Sequence, residues 1–160
     1  MLNDCFRILC YLIAAIWTSW FSVVMVADCF DLLKVLEFLG PDFIFVSKNY
    51  TLLIKFTSIY QFQDKAVLVL YITLLIFCLP ILCGMFFGFL QLTLQKKPLL
   101  FAKALLTLTA LNGSFVVLDE IFLNYEMEHW HLVRFGMLLL STFIFLSAGQ
   151  HSFSCEISQK

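Results

Sequence analysis

Residues 66–95 read AVLVLYITLLIFCLPILCGMFFGFLQLTLQ, thirty positions without a charge between Lys65 and Lys96. A bilayer core of ~30 Å is crossed by about 20 apolar residues as a helix. A barrel strand would alternate polar and apolar side chains with period two. The run Leu68-Val69-Leu70-Tyr71-Ile72-Thr73-Leu74-Leu75-Ile76-Phe77 is instead apolar on every face. Backbone in hydrocarbon must satisfy its own hydrogen bonds, so such a run reads as a lipid-facing helix. It exceeds a single crossing, and therefore tilts, kinks or extends beyond the membrane.

Three further charge-free runs flank it: 20 residues at 8–27, 15 at 104–118 and 21 at 135–155. The 104–118 run is short, but Leu99 to Phe101 precede Lys103, whose long stem can carry its ammonium to the interface. Four transmembrane helices are predicted at about 8–27, 66–90, 99–122 and 131–150. The fold class is all-α: a polytopic membrane four-helix bundle forming one domain over 1–160, with an amphipathic, interfacial segment between the first two membrane helices. Composition agrees, since 62% of the 160 residues are hydrophobic and 13% are charged, with a mean hydropathy of +0.95. Soluble domains are about 45–50% apolar and about 25% charged. A soluble enzyme, a disordered chain and a nucleic-acid binder are disfavoured; the net charge of −1 offers no basic field for phosphates.

The first run follows a single arginine, Arg7, and is longer than a signal-peptide core, so it is read as an uncleaved signal-anchor helix. Four crossings place both termini and the 91–98 connection on one side. That side holds Arg7, Lys96, Lys97, Lys103 and Lys160 against two acids, Asp4 and Glu156. The other side holds five basic residues against nine acidic ones. Lysines concentrate in the short 91–98 loop and its flank, which marks the cytoplasmic face. The expected location is thus the plasma (inner) membrane with both termini cytoplasmic.

In the 28–65 connection, Leu32, Leu33, Leu36 and Leu39 recur with helical spacing while Asp31, Lys34 and Glu37 take the opposite face. This predicts an amphipathic helix along the outer surface, ended by Gly40-Pro41-Asp42. Phe43 to Phe56 reads as a cap over the outer helix ends, or a lid over an outward-opening cavity. Asn49-Tyr50-Thr51 forms a glycosylation sequon on that side.

Within the membrane, Pro80 sits midway along the second helix, and Gly84 and Gly88 lie four apart, a spacing that lets helix backbones approach closely. The partner is another span of the chain or a second copy. Asn112, with Thr109 and Ser114, gives the third span a polar patch expected to hydrogen-bond to a neighbouring helix or to line a binding site. The absence of ionisable residues near mid-span argues against a driven ion pump. Haem is disfavoured: His131 and His151 are 20 residues apart, about 30 Å along a helix. Of six cysteines only Cys29 falls in the outer connections, so no disulfide framework is expected.

Chemistry concentrates in Asp119-Glu120-Ile121-Phe122-Leu123-Asn124-Tyr125-Glu126-Met127-Glu128-His129-Trp130-His131. Glu126 and His129 are three apart, as are Glu128 and His131; on a helix one such pair could offer an oxygen and a nitrogen to one metal ion, with Asp119, Glu120 or Asp28 completing the set, and Glu126, His129 and Glu120 are the candidate ligands. The alternative is an interfacial polar network with Trp130 and Tyr125 as aromatic anchors. Asp119 and Glu120, at the deep edge, require a partner if buried, and Arg134 is the natural candidate.

In layout the chain resembles the DoxX-like group of small four-span membrane proteins. The resemblance rests on four spans in 160 residues, Gly40-Pro41 in an apolar first connection, and the Phe-, Leu- and Gly-rich second span with Pro80, Gly84 and Gly88. That group includes quinone-linked oxidoreductase subunits; it carries no residue role to this chain and does not account for the Asp119–His131 stretch. Three functions follow as expectations. The first is a non-catalytic accessory or assembly subunit, partnered by the lipid bilayer and by other membrane proteins or its own copies. The second is a membrane-embedded redox or metal protein with an outer-face site at Glu120, Glu126 and His129. The third is a lipophile or quinone carrier lined by the Asn112 patch.

Overall fold

The computed structural model describes the backbone of residues 2–121 and 125–157, and the side chains of 4–121 and 128–148. The described residues form five α-helices: α1 (Leu2–Val35), α2 (Asn49–Thr57), α3 (Asp64–Gln95), α4 (Leu99–Ile121) and α5 (Tyr125–Ile157), with a 3-10 turn at Ser58–Tyr60 after α2. No strand occurs among the described residues. Four helices, all but α2, are long and apolar enough to cross a membrane.

The four long helices form a ring in which α1 packs on α3 and α5, and α4 packs on α3 and α5. Three-residue connections at 96–98 and 122–124 make α3, α4 and α5 successive antiparallel neighbours. The start of α3 lies beside the end of α1, since the Tyr71 hydroxyl donates to the Asp28 carbonyl at 3.3 Å. One end of the bundle therefore carries the start of α1, the 96–98 connection and the end of α5. The other, the α2 end, carries α2, the end of α4 and the start of α5.

The helices outrun the expected spans. α1 has 34 residues and α3 has 32, about 50 Å each at 1.5 Å per residue, well beyond a ~30 Å core. The separate surface helix expected around Leu32–Leu39 does not form. Its first half is the last turn of α1, which continues unbroken from the membrane run to Val35. The helix stops at Glu37, which takes a left-handed φ of 62°. The Phe38 N–H then donates to Leu33 O at 2.9 Å and the Glu37 N–H to Lys34 O at 3.1 Å. This double closure is a Schellman end, three residues before Gly40, which is not the terminator. The helix within the connection is α2, and it packs on α1 and α3.

At the other end α3 stops at Lys96, again left-handed with φ 56°. Pro98 supplies the first carbonyl of α4, accepting from the Ala102 N–H at 2.9 Å; it has no N–H to lose there. α3 runs continuously through Pro80, which is exposed.

Burial follows the ring. Phe101, Phe145, Met85, Leu92, Leu105 and Leu138 are fully buried, with the Phe101 and Phe145 rings 5.1 Å apart. Large apolar side chains such as Ile16, Ile76, Phe87, Leu106 and Phe143 point outward on every long helix, as a lipid-facing surface requires. The glycine pair faces inward. A Cβ on Gly88 would stand 2.6 Å from Phe101 N and 2.7 Å from its Cα, and one on Gly84 would stand 3.2 Å from the Ala104 Cβ. Gly84 and Gly88 thus set the approach of α3 to α4, within one chain.

Candidate functional site

The α2 end holds two polar groupings. The first is built on Asp28 and Asp31, three residues apart and so on one face of α1. Asp31 is 4% exposed. Its Oδ2 accepts from the Tyr50 N–H at 2.9 Å, the Ser47 hydroxyl at 3.2 Å and the Tyr71 hydroxyl at 3.3 Å. Asp28 Oδ1 accepts from Asn49 Nδ2 at 2.8 Å. The Tyr50 and Tyr71 rings lie 5.7 Å apart over this knot. Burial, with the Asp64 carboxylate nearby, raises the Tyr50 hydroxyl above its ordinary pKa, so it stays protonated at neutral pH. Four segments meet here: the end of α1, the loop at Ser47, the start of α2 and the second turn of α3. The amide nitrogen of Asn49, the atom a glycan would take, is the one spent on Asp28.

Lys34 works alongside them. Its Nζ donates to Pro41 O at 2.6 Å and to Phe43 O at 2.9 Å. The outward polar face expected for Asp31 and Lys34 is therefore divided: Asp31 turns into the bundle, and Lys34 turns onto the loop.

The second grouping spans the 122–124 connection. Asp119, on α4 and 6% exposed, is hydrogen-bonded through Oδ2 to His131 Nδ1 on α5. The His131 ring tilts on Phe115 at 5.7 Å. The partner expected for Asp119 was Arg134. The structure instead places the Arg134 guanidinium over the Trp20 ring of α1, 5.1 Å from its centroid, where the cation is held by the ring face. Trp20 in turn meets Trp17 edge-on at 5.4 Å. Glu120 and His129 are exposed, with the His129 ring against Trp130 at 5.6 Å. The Glu126 side chain lies outside the described residues, so its place beside Glu120 and His129 is not described. Among the described residues no three His, Cys, Asp or Glu side chains are grouped to hold a metal ion.

The mid-span patch divides as well. Thr109 on α4 shares a 2.9 Å hydrogen bond with Thr142 on α5, linking neighbouring helices as expected. Asn112 turns back on its own helix, with Nδ2 donating to Leu108 O at 3.0 Å. Ser114 is exposed and bonds Ala110 O at 3.0 Å. The Thr18 hydroxyl on α1 is buried and meets no hydrogen-bond partner among the described residues.

Sequence reasoning missed Asp31, Tyr71 and Thr142 as parts of these groupings. The signal for Asp31 was its three-residue spacing from Asp28. Tyr71 and Thr142, hydroxyls within otherwise apolar runs, were the signal for the other two. No family model matches the chain, and neither a curated protein nor a solved structure matches it.

Proposed function

We propose that this chain is a non-catalytic accessory or assembly subunit of a larger membrane complex. The observation that carries this reading is the use of Asp31. A buried carboxylate at the α2 end receives donors from the loop, from α2 and from α3, and so works as a clasp on the chain itself. Asp119 is likewise met by His131, and the Arg134 guanidinium lies over Trp20. These polar side chains join helix to helix. The outward surface left by such a bundle is apolar and suited to lipid and to neighbouring spans. Lys96, Lys97 and Lys103, clustered at the terminal end, support cytoplasmic termini. Purification in mild detergent followed by cross-linking mass spectrometry tests the proposal. Stoichiometric partner chains or a defined oligomer support it; a lone monomer with an intrinsic activity contradicts it.

One observation favours a second reading, a metal or redox protein of DoxX-like type. Asp119 bound to His131 Nδ1 is the kind of contact that fixes the tautomer of a metal-ligating imidazole. Elemental analysis of the pure protein decides it: stoichiometric transition metal supports the reading, and its absence from protein grown in metal-replete medium removes it.

A further inference from the structure

The loop between α1 and α2 carries features that a water-exposed loop has no use for. It folds back along α1: the Ser47 N–H donates to Ala27 O at 3.3 Å, eight residues below Val35, which is about 12 Å along the helix. Its middle, Phe43-Ile44-Phe45-Val46, has no polar side chain. Ile44 is 90% exposed and Phe45 50%, and Phe38 before them is 75% exposed. The Phe43 and Phe45 rings flank Phe30 on α1, at 5.2 and 6.0 Å. Phe30 continues the outward face of Val23 and Val26, so the loop extends a lipid-facing stripe.

Part of its backbone is satisfied from within, the Ile44 and Phe45 N–H groups excepted. The Phe43 N–H donates to Gly40 O at 3.1 Å and the Val46 N–H to Ile44 O at 3.0 Å. The Asn49 N–H donates to Ser47 Oγ at 3.2 Å, and the Tyr50 N–H to Asp31 at 2.9 Å. Lys34 gives its ammonium to the Pro41 and Phe43 carbonyls. Water would serve these groups at no cost in side-chain freedom; internal partners are needed where water is scarce. Exposed Asp42 and Lys48 bracket the apolar middle at the two ends.

We infer that residues 43–46 are inserted into the boundary between lipid headgroups and acyl chains, beside the α2 end of α1, with Ile44 directed into the bilayer. The occupant of this apolar surface is lipid, by continuity with the stripe of Val23, Val26 and Phe30 that the loop extends. Inserted there, the loop anchors the α2 end at a fixed depth, as amphipathic segments do at interfaces.

The full chain is reconstituted into phosphatidylcholine vesicles with the photo-reactive residue p-benzoylphenylalanine in place of Ile44, and separately in place of Ile16, a lipid-facing position in mid-span. After irradiation, mass spectrometry is expected to find phosphatidylcholine adducts at position 44 at a yield matching position 16. Adducts at 16 and none at 44 overturn the inference, as does cross-linking of 44 to a second copy of the chain. Hydrogen exchange on the unsubstituted protein gives an independent reading. Slow exchange in vesicles at Ile44 and Phe45, whose N–H groups meet no acceptor among the described residues, supports insertion, and exchange there at the rate of an unstructured peptide contradicts it.

Discussion

Asp31 shows how much a single side chain settles at the α2 end. Hydrogen bonds to a charged group are worth about 1.5–3 kcal/mol each, and removing the acceptor leaves its donors unmet. Asp31→Ala is therefore expected to destabilise the protein by about 2–4 kcal/mol. Tyr71→Phe, which removes the hydroxyl from its 3.3 Å contacts with Asp31 and the Asp28 carbonyl, should cost about 1 kcal/mol. Thermal unfolding in detergent measures both, and equal effects would contradict the ranking. The glycines make a sharper pair. A methyl at Gly88 meets the backbone of Phe101, which cannot step aside, so Gly88→Ala should cost about 1–3 kcal/mol. A methyl at Gly84 meets only the Ala104 Cβ at 3.2 Å. There the gain in helix propensity, up to ~1 kcal/mol, offsets the crowding, and Gly84→Ala should be near neutral. A double-mutant cycle on Thr109→Val and Thr142→Val should give a coupling of about 0.5–1.7 kcal/mol, the range for hydrogen bonds between membrane helices. That Gly84 and Gly88 form a close-packing face was legible in their spacing. The partner of Asp119 was not: Arg134 and His131 are three apart on one helix, and only the three-dimensional position of Trp20 decides which of them turns to the carboxylate.

Elements were legible where hydrocarbon dictates them. A run of about 20 apolar residues has few alternatives to a membrane helix, and the four long helices follow from such runs. Their ends were not legible, because the chain uses residues other than glycine to end them. Glu37, Gln61 and Lys96 all take left-handed φ at or just beyond helix ends, positions where glycine is the usual punctuation. A reading keyed to charge-free runs therefore ended the first helix at residue 27, before Asp28, and one keyed to Gly40-Pro41 took its continuation for a separate helix. This predicts that Gln61→Gly, which relieves a left-handed side chain at the end of the Ser58–Tyr60 turn, stabilises the protein by up to about 1 kcal/mol. A lowered unfolding midpoint would show that Gln61 makes a contact worth more than its strain. Lys34→Met keeps the stem and removes the ammonium from Pro41 and Phe43. Amide exchange should then rise across the loop at 43–47 and stay unchanged in α4.

For the molecule as a whole, the ring of α1, α3, α4 and α5 was implied by short connections and four runs, since consecutive antiparallel helices pack as neighbours. The placement of the two polar groupings at one end also follows, once Asp28, Asp31, Asp119 and His131 are set at the ends of their helices. The outward face is apolar, a composition that lipid and protein neighbours impose alike, so it leaves no pattern in the sequence that distinguishes them. The central claim is that the chain crosses the membrane four times with the 96–98 connection and the α2 end on opposite sides. Lys97→Cys and Lys48→Cys, expressed in intact cells and treated with a membrane-impermeant maleimide, test it directly when labelling is mapped by peptide mass spectrometry. Position 48 is expected to label in intact cells and position 97 only after permeabilisation; labelling of both in intact cells would contradict four crossings with this sidedness.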